Sequence, residues 1–126
     1  MNMILAIAAG GAIGAVGRHF AVAQIGQWVG HGFPWGIMIV NIVGSLFMGI
    51  LLETLALMWS PSLEMRAFLT VGVLGAFTTF ATFSFDVALL YERGQFISAA
   101  LYIAGSVAIS VLALFAGLAL VRSILT

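Results

Sequence analysis

Nearly every residue of this chain falls in one of four apolar stretches, each long enough to cross a hydrocarbon layer. A spanning helix needs roughly 20 mostly apolar residues. The stretches run over residues 3–24, 34–58, 66–91 and 96–121, with boundaries soft by a few residues. The connections are short. Residues 25–33 hold Gly26, Gly30 and Gly32; residues 59–65 hold Pro61 as a helix breaker and Ser62 as an N-cap. Residues 92–95 make the tightest turn. Trp28, Trp35 and Trp59 fall near span ends, where an aromatic belt sits. No room is left for a soluble domain. The expected fold is an all-α membrane protein, a single four-helix transmembrane domain over residues 1–126. The first stretch has no positive n-region before it, so it reads as a retained helix rather than a signal peptide.

Charge agrees with this. Only 6% of residues are charged and 63% are hydrophobic, with mean hydropathy +1.25. A soluble domain carries about a quarter charged residues, because its surface must hold water. There is no lysine; the charges are Arg18, Arg66, Arg93 and Arg122 against Glu53, Glu64, Asp86 and Glu92. No basic patch exists, so nucleic-acid binding has no electrostatic basis. The absence of cysteine excludes disulfides and thiolate chemistry. No Ser-His-Asp, HExxH or phosphate-loop pattern points to an enzyme.

Four spans place both termini on one side, together with the 59–65 connection. Arg66 and Arg122 belong to that side, Arg93 and Arg18 to the other. With arginines balanced, the positive-inside rule has nothing to act on. The chain then inserts in both orientations and forms an antiparallel dimer, or a cue such as the N-terminal amine sets one orientation. Small residues suit close helix contact: Gly10 with Gly14, then Gly17 and Gly11, Gly44 with Ser45, Gly72 with Gly75, and Gly105 with Ser106. Packing within one subunit and packing between subunits both satisfy that pattern.

Polar groups inside a membrane are costly and are usually paired or functional. Asn41 and Ser45, spaced i and i+4, share a face of the second helix. A helix–helix hydrogen bond is the plainer use for Asn41; donation to an anion is the other. The third helix is dense in hydroxyls and aromatics from Gly75 to Asp86. There Phe80 and Phe83 share one face, Thr79 and Thr82 an adjacent one. Phenylalanine ring edges carry partial positive charge and suit a small dehydrated anion. A lipid-facing stripe with threonines bonded back to their own helix is the alternative. Tyr102, Ser106 and Ser110 form an i, i+4, i+8 stripe on the fourth helix, for which packing suffices. Arg18 lies about 22 Å along the first helix from Met3 and is expected to reach the far headgroups. Glu53, on the face of Asn41 and Ser45, either lines a vestibule or snorkels, and Asp86 is similarly placed. His19 and His31 read as interfacial, without a metal-ligand pattern.

These motifs resemble the Fluc (CrcB-type) fluoride channel family over essentially the whole chain. The carriers are Gly10-Gly11-Ala12-Ile13-Gly14-Ala15-Val16-Gly17-Arg18, then Pro34-Trp35-Gly36 with Val40-Asn41 and Gly44-Ser45. The most specific is Gly72-Val73-Leu74-Gly75-Ala76-Phe77-Thr78-Thr79-Phe80-Ala81-Thr82-Phe83-Ser84. The resemblance implies an antiparallel, dual-topology homodimer with two pores, passively exporting fluoride across an inner (plasma) membrane. It implies that Asn41, Phe80 and Phe83 contact the anion. Thr82, Ser84 and Tyr102 would belong to the polar side of the pathway, with Arg18 near a vestibule. It implies a third helix broken near its middle, whose Gly75 and Thr78 carbonyls bind a structural sodium ion at the dimer interface. Three positions depart from the family pattern: Ile37 in place of threonine, Ala81 in place of serine, and Asp86 where glutamate is common. The first two remove hydroxyls near the proposed path, which keeps open a non-conducting subunit of a heterodimeric channel. A small multidrug-type exporter, also four-helical and dual-topology, needs an acid in its first helix, and this first helix has none.

Overall fold

The computed structural model describes residues 2–126, and all their regular structure is helical. Four helices are long and apolar enough to cross a membrane. They are α1 (Asn2–Val29), α2 (Trp35–Leu57), a third span over Leu63–Glu92, and α6 (Phe96–Leu125). The third span is composite: α3 (Leu63–Ala67), a π-helical turn (Phe68–Leu74), α4 (Gly75–Phe77) and α5 (Phe80–Glu92). Between α4 and α5, Thr78 (φ −88, ψ 158) and Thr79 (φ −154, ψ 126) are extended.

Three boundaries differ from the sequence expectation, each for a local reason. α1 continues to Val29 because Ile25 and Gly26 still turn inward and are buried. Its stop is Gly30, whose φ of +86 suits a residue without Cβ. The third span starts at Leu63, since the Ser62 hydroxyl caps it by accepting from the Met65 amide at 3.1 Å. α6 runs on to Leu125, with Arg122 in its last turn, where a cation faces the negative helix end. Gly94, at φ +77, lets the chain reverse from α5 into α6.

Packing follows two seams. α2 lies against α6, and α1 lies against the π turn and α4. Glycines make both seams backbone-close. A Cβ on Gly117 would stand 2.7 Å from the Ile50 amide nitrogen, and one on Gly49 would stand 3.1 Å from that of Leu118. On the other seam, a Cβ on Gly72 would stand 2.8 Å from the Gly10 Cα. Gly10, Gly14 and Gly72 therefore serve contacts within the subunit. Gly11 has open space beside it. Gly49 and Gly117 were missed by the sequence reading, although Ser45 with Gly49 and Ala113 with Gly117 are small-xxx-small pairs that signal close approach.

The apolar interior is small. Ile37, Phe83, Leu90, Ala99 and Tyr102 form its buried cluster. Large apolar side chains point outward instead: Ile97 is 77% exposed, which a water-facing helix would not sustain but lipid accepts. Glu53 neither lines a vestibule nor snorkels. It is buried and accepts a hydrogen bond from Arg122 Nε at 2.7 Å, tying the C-terminal halves of α2 and α6.

If the α2–α6 seam is as close as the glycines imply, Gly117→Ala should destabilise the folded protein by about 1–3 kcal/mol, the usual cost of overpacking. Gly11→Ala, in open space, should change stability by no more than about 1 kcal/mol, and in the stabilising direction. Thermal melts followed by circular dichroism in detergent would check the contrast.

Candidate functional site

The polar residues of three spans converge on one cavity of about 270 Å³. α2 contributes Asn41 and Ser45, the extended pair contributes Thr78 and Thr79, α5 contributes Phe80 and Phe83, and α6 contributes Ser106 and Ser110. The helical spacing of each pair made the shared faces legible. Their convergence depends on the extended residues, which no periodicity announced.

Extending two residues inside a span releases backbone groups from the helical ladder, and lipid offers them no partner. Asn41 answers from one side. Its Nδ2 donates to the Thr79 carbonyl at 3.0 Å, and its Oδ1 accepts from the Thr79 amide at 2.8 Å. An amide side chain thus pairs with a backbone residue as a neighbouring strand would. Arg18 answers from α1. Its guanidinium donates to the Ala76 carbonyl at 2.8 Å and, at longer range, to the Thr78 carbonyl at 3.4 Å. The Thr79 hydroxyl then accepts from the Thr82 amide at 3.2 Å and restarts the helix as α5.

The inward turn of Arg18 corrects its expected interfacial place. With α1 ending at Val29 rather than residue 24, Arg18 sits about 16 Å short of the helix end. The carbonyls of Ala76 and Thr78 are its nearer partners.

Asn41 keeps a second amide proton after bonding Thr79, so it still has donor capacity beside the cavity. Ser106 and Ser110 have buried hydroxyl oxygens without any protein partner, and both line the cavity. For the stripe they form with Tyr102, packing suffices as far as the sequence goes. Their i, i+4 spacing was the available signal, and the missing partners are what distinguish a lining role. Phe80 is 75% exposed, whereas Phe83 is buried, their ring centroids 5.4 Å apart. The cavity wall built by Phe80 is therefore open on the surface of a single chain.

The other expected site residues lie apart from this cavity. Tyr102 is fully buried behind Phe83, at 5.0 Å between ring centroids, and its hydroxyl donates to Asp86 Oδ2 at 2.9 Å. Thr82 lines a separate cavity of about 300 Å³ with Arg18 and His19. Ser84 is exposed and Gly75 is exposed, and neither lines either cavity. Ile37 belongs to the apolar cluster and also lines the second cavity beside Arg18 and Thr82, but not the main cavity.

A family model described as "CrcB-like protein, Camphor Resistance (CrcB)" matches residues 5–118. A protein of Rhodospirillum centenum named "Fluoride-specific ion channel FluC" is 55% identical over 123 residues, covering 98% of each chain. Proteins of the same name from Nitrobacter winogradskyi and Chelativorans sp. are 50% and 51% identical, covering 98% and 99% of this chain and 98% and 100% of their own. The relatives carry the names of channels, not of enzymes. With four spans, a match over most of its length and relatives at this identity, the chain belongs to the CrcB family of membrane proteins.

Proposed function

We propose that the chain is a passive, fluoride-selective channel that lets fluoride leave the cell across the inner membrane. The observation that carries this reading is the cavity in which one Asn41 proton, the unpaired Ser106 and Ser110 hydroxyls and the Phe80 and Phe83 rings meet. Fluoride is small and strongly hydrated. Donors fixed close together can replace its water, and ring edges can add partial positive charge without a counter-ion to trap it. A narrow, rigid route excludes larger chloride. No proton donor need be consumed, so transport runs down the gradient without coupling. The names of the relatives support the choice of anion.

The open wall at Phe80 favours a functional unit of two copies. In this reading the copies are antiparallel, with two anion pathways, and the interruption at Thr78–Thr79 is the break in the third helix that such a pathway uses. Gly75 and Thr78 suit a structural sodium ion at the centre of that dimer. The Thr79 amide bonds Asn41 instead of reaching back one turn, which frees the carbonyl of Gly75, an exposed residue. The Thr78 carbonyl meets only the longer of the two Arg18 contacts. Carbonyl oxygens are the ligands a hard cation takes. When bound there, sodium would supply a fixed positive charge.

Liposomes holding the purified protein alone, loaded with potassium fluoride and given a potassium ionophore, should release fluoride rapidly and retain chloride. Release that requires a proton gradient, or no release from folded dimers, would overturn the reading. Phe80→Ile keeps bulk but removes the ring edge, and should slow fluoride efflux by about tenfold, the scale of a ring-edge contact of ~1.5 kcal/mol. Ser106→Ala and Ser110→Ala remove hydroxyls that no protein group satisfies. Each should leave stability unchanged or raise it by about 1 kcal/mol, while fluoride efflux falls severalfold. Paired melts and flux assays would read both effects on the same preparation.

A further inference from the structure

Of the four arginines, Arg66, Arg93 and Arg122 lie near the ends of their spans, while Arg18 lies well inside α1. Its guanidinium bonds the Ala76 and Thr78 carbonyls. Among the described residues the single ion pair is Arg122 with Glu53, so no carboxylate of the chain pairs with Arg18. Carbonyl dipoles accept its hydrogen bonds without cancelling its charge.

That charge is more than the bonding requires. On the opposite side of the same extended pair, the neutral amide of Asn41 satisfies both backbone groups of Thr79. A neutral donor would serve Ala76 equally well, and would avoid the cost of a cation inside a membrane. An unpaired intramembrane cation is therefore a functional feature rather than a structural necessity.

Its location says which function. Arg18 holds the carbonyl of Thr78, a residue lining the main cavity, and Arg18 itself lines the second cavity with Thr82. One fixed positive charge thus stands behind both. We infer that Arg18 determines the sign of the ion admitted: its uncompensated charge makes the pathway favour a small inorganic anion over a cation. This rests on the channel reading. The donors at the main cavity then choose among anions, and Arg18 excludes cations. Arg18 acts through the local potential and is not proposed to touch the ion.

The test is the reversal potential across a planar bilayer holding the protein in a sodium fluoride gradient, for the wild type, Arg18→Gln and Arg18→Lys. Gln keeps a donor for the Ala76 carbonyl and loses the charge; Lys keeps the charge and loses the forked geometry. The wild type and Arg18→Lys should reverse at the fluoride equilibrium potential. Arg18→Gln should shift toward the sodium potential and lose about tenfold or more of its fluoride current. Unchanged selectivity in Arg18→Gln, or equal damage in Gln and Lys, would each overturn the inference and leave the channel reading standing. A wild type that passes no fluoride would overturn both.

Discussion

The pairing of Asn41 with Thr79 is the interaction on which the site depends. A bilayer offers no water to a peptide group outside a helix, and each such group left bare costs several kcal/mol. Two consecutive extended residues would be untenable there without partners. Asn41 supplies a donor and an acceptor at 3.0 and 2.8 Å, and Arg18 covers the carbonyls on the other side. Held from α1 and α2 together, the extended pair can place Thr78 and Thr79 in a cavity wall and re-aim α5 so that Phe80 and Phe83 join them. The same residues that could serve an ion are therefore tied to the integrity of the span.

Close backbone approach makes that bracing possible. Arg18 reaches the third span because Gly10 and Gly14, on the same helix, let α1 lie against the π turn and α4. A side chain at either glycine would push α1 away and lengthen the reach. On the far seam Gly49 and Gly117 do the same for α2 and α6, and so bring Asn41 and Ser45 opposite Ser106 and Ser110. Since lipid tails are as apolar as leucine, hydrophobic burial contributes little to joining these helices; contact and hydrogen bonding carry the association. The small buried cluster around Tyr102 fits that balance.

What could be read from the sequence was whatever repeats along a helix or breaks one. The four spans followed from run length, the turn at residue 94 from glycine, and the Ser62 cap from its place after Pro61. Asn41 stood out because an amide within a span is expensive. Its partner did not, because a backbone group 38 residues away leaves no mark in side-chain pattern. Arg18 was misplaced through an error of five residues in the end of α1, enough to turn a half-buried cation bonded to the third span into an interfacial one. Glu53 was misread because its partner Arg122 comes from a helix 69 residues on. The widened π turn has no sequence signature that we can name. Ser106 and Ser110 were seen as a stripe, but whether a hydroxyl is satisfied is a three-dimensional fact.

The ion pair between Glu53 and Arg122 has a consequence for the seam it closes. The Glu53 side chain is 11% exposed and that of Arg122 is 61% exposed. A buried carboxylate stripped of its partner is far costlier than an exposed guanidinium stripped of its own. The two ends of this one bond are therefore not interchangeable: loss of Arg122 strands a charge between α2 and α6, whereas loss of Glu53 leaves a cation that its surroundings still solvate.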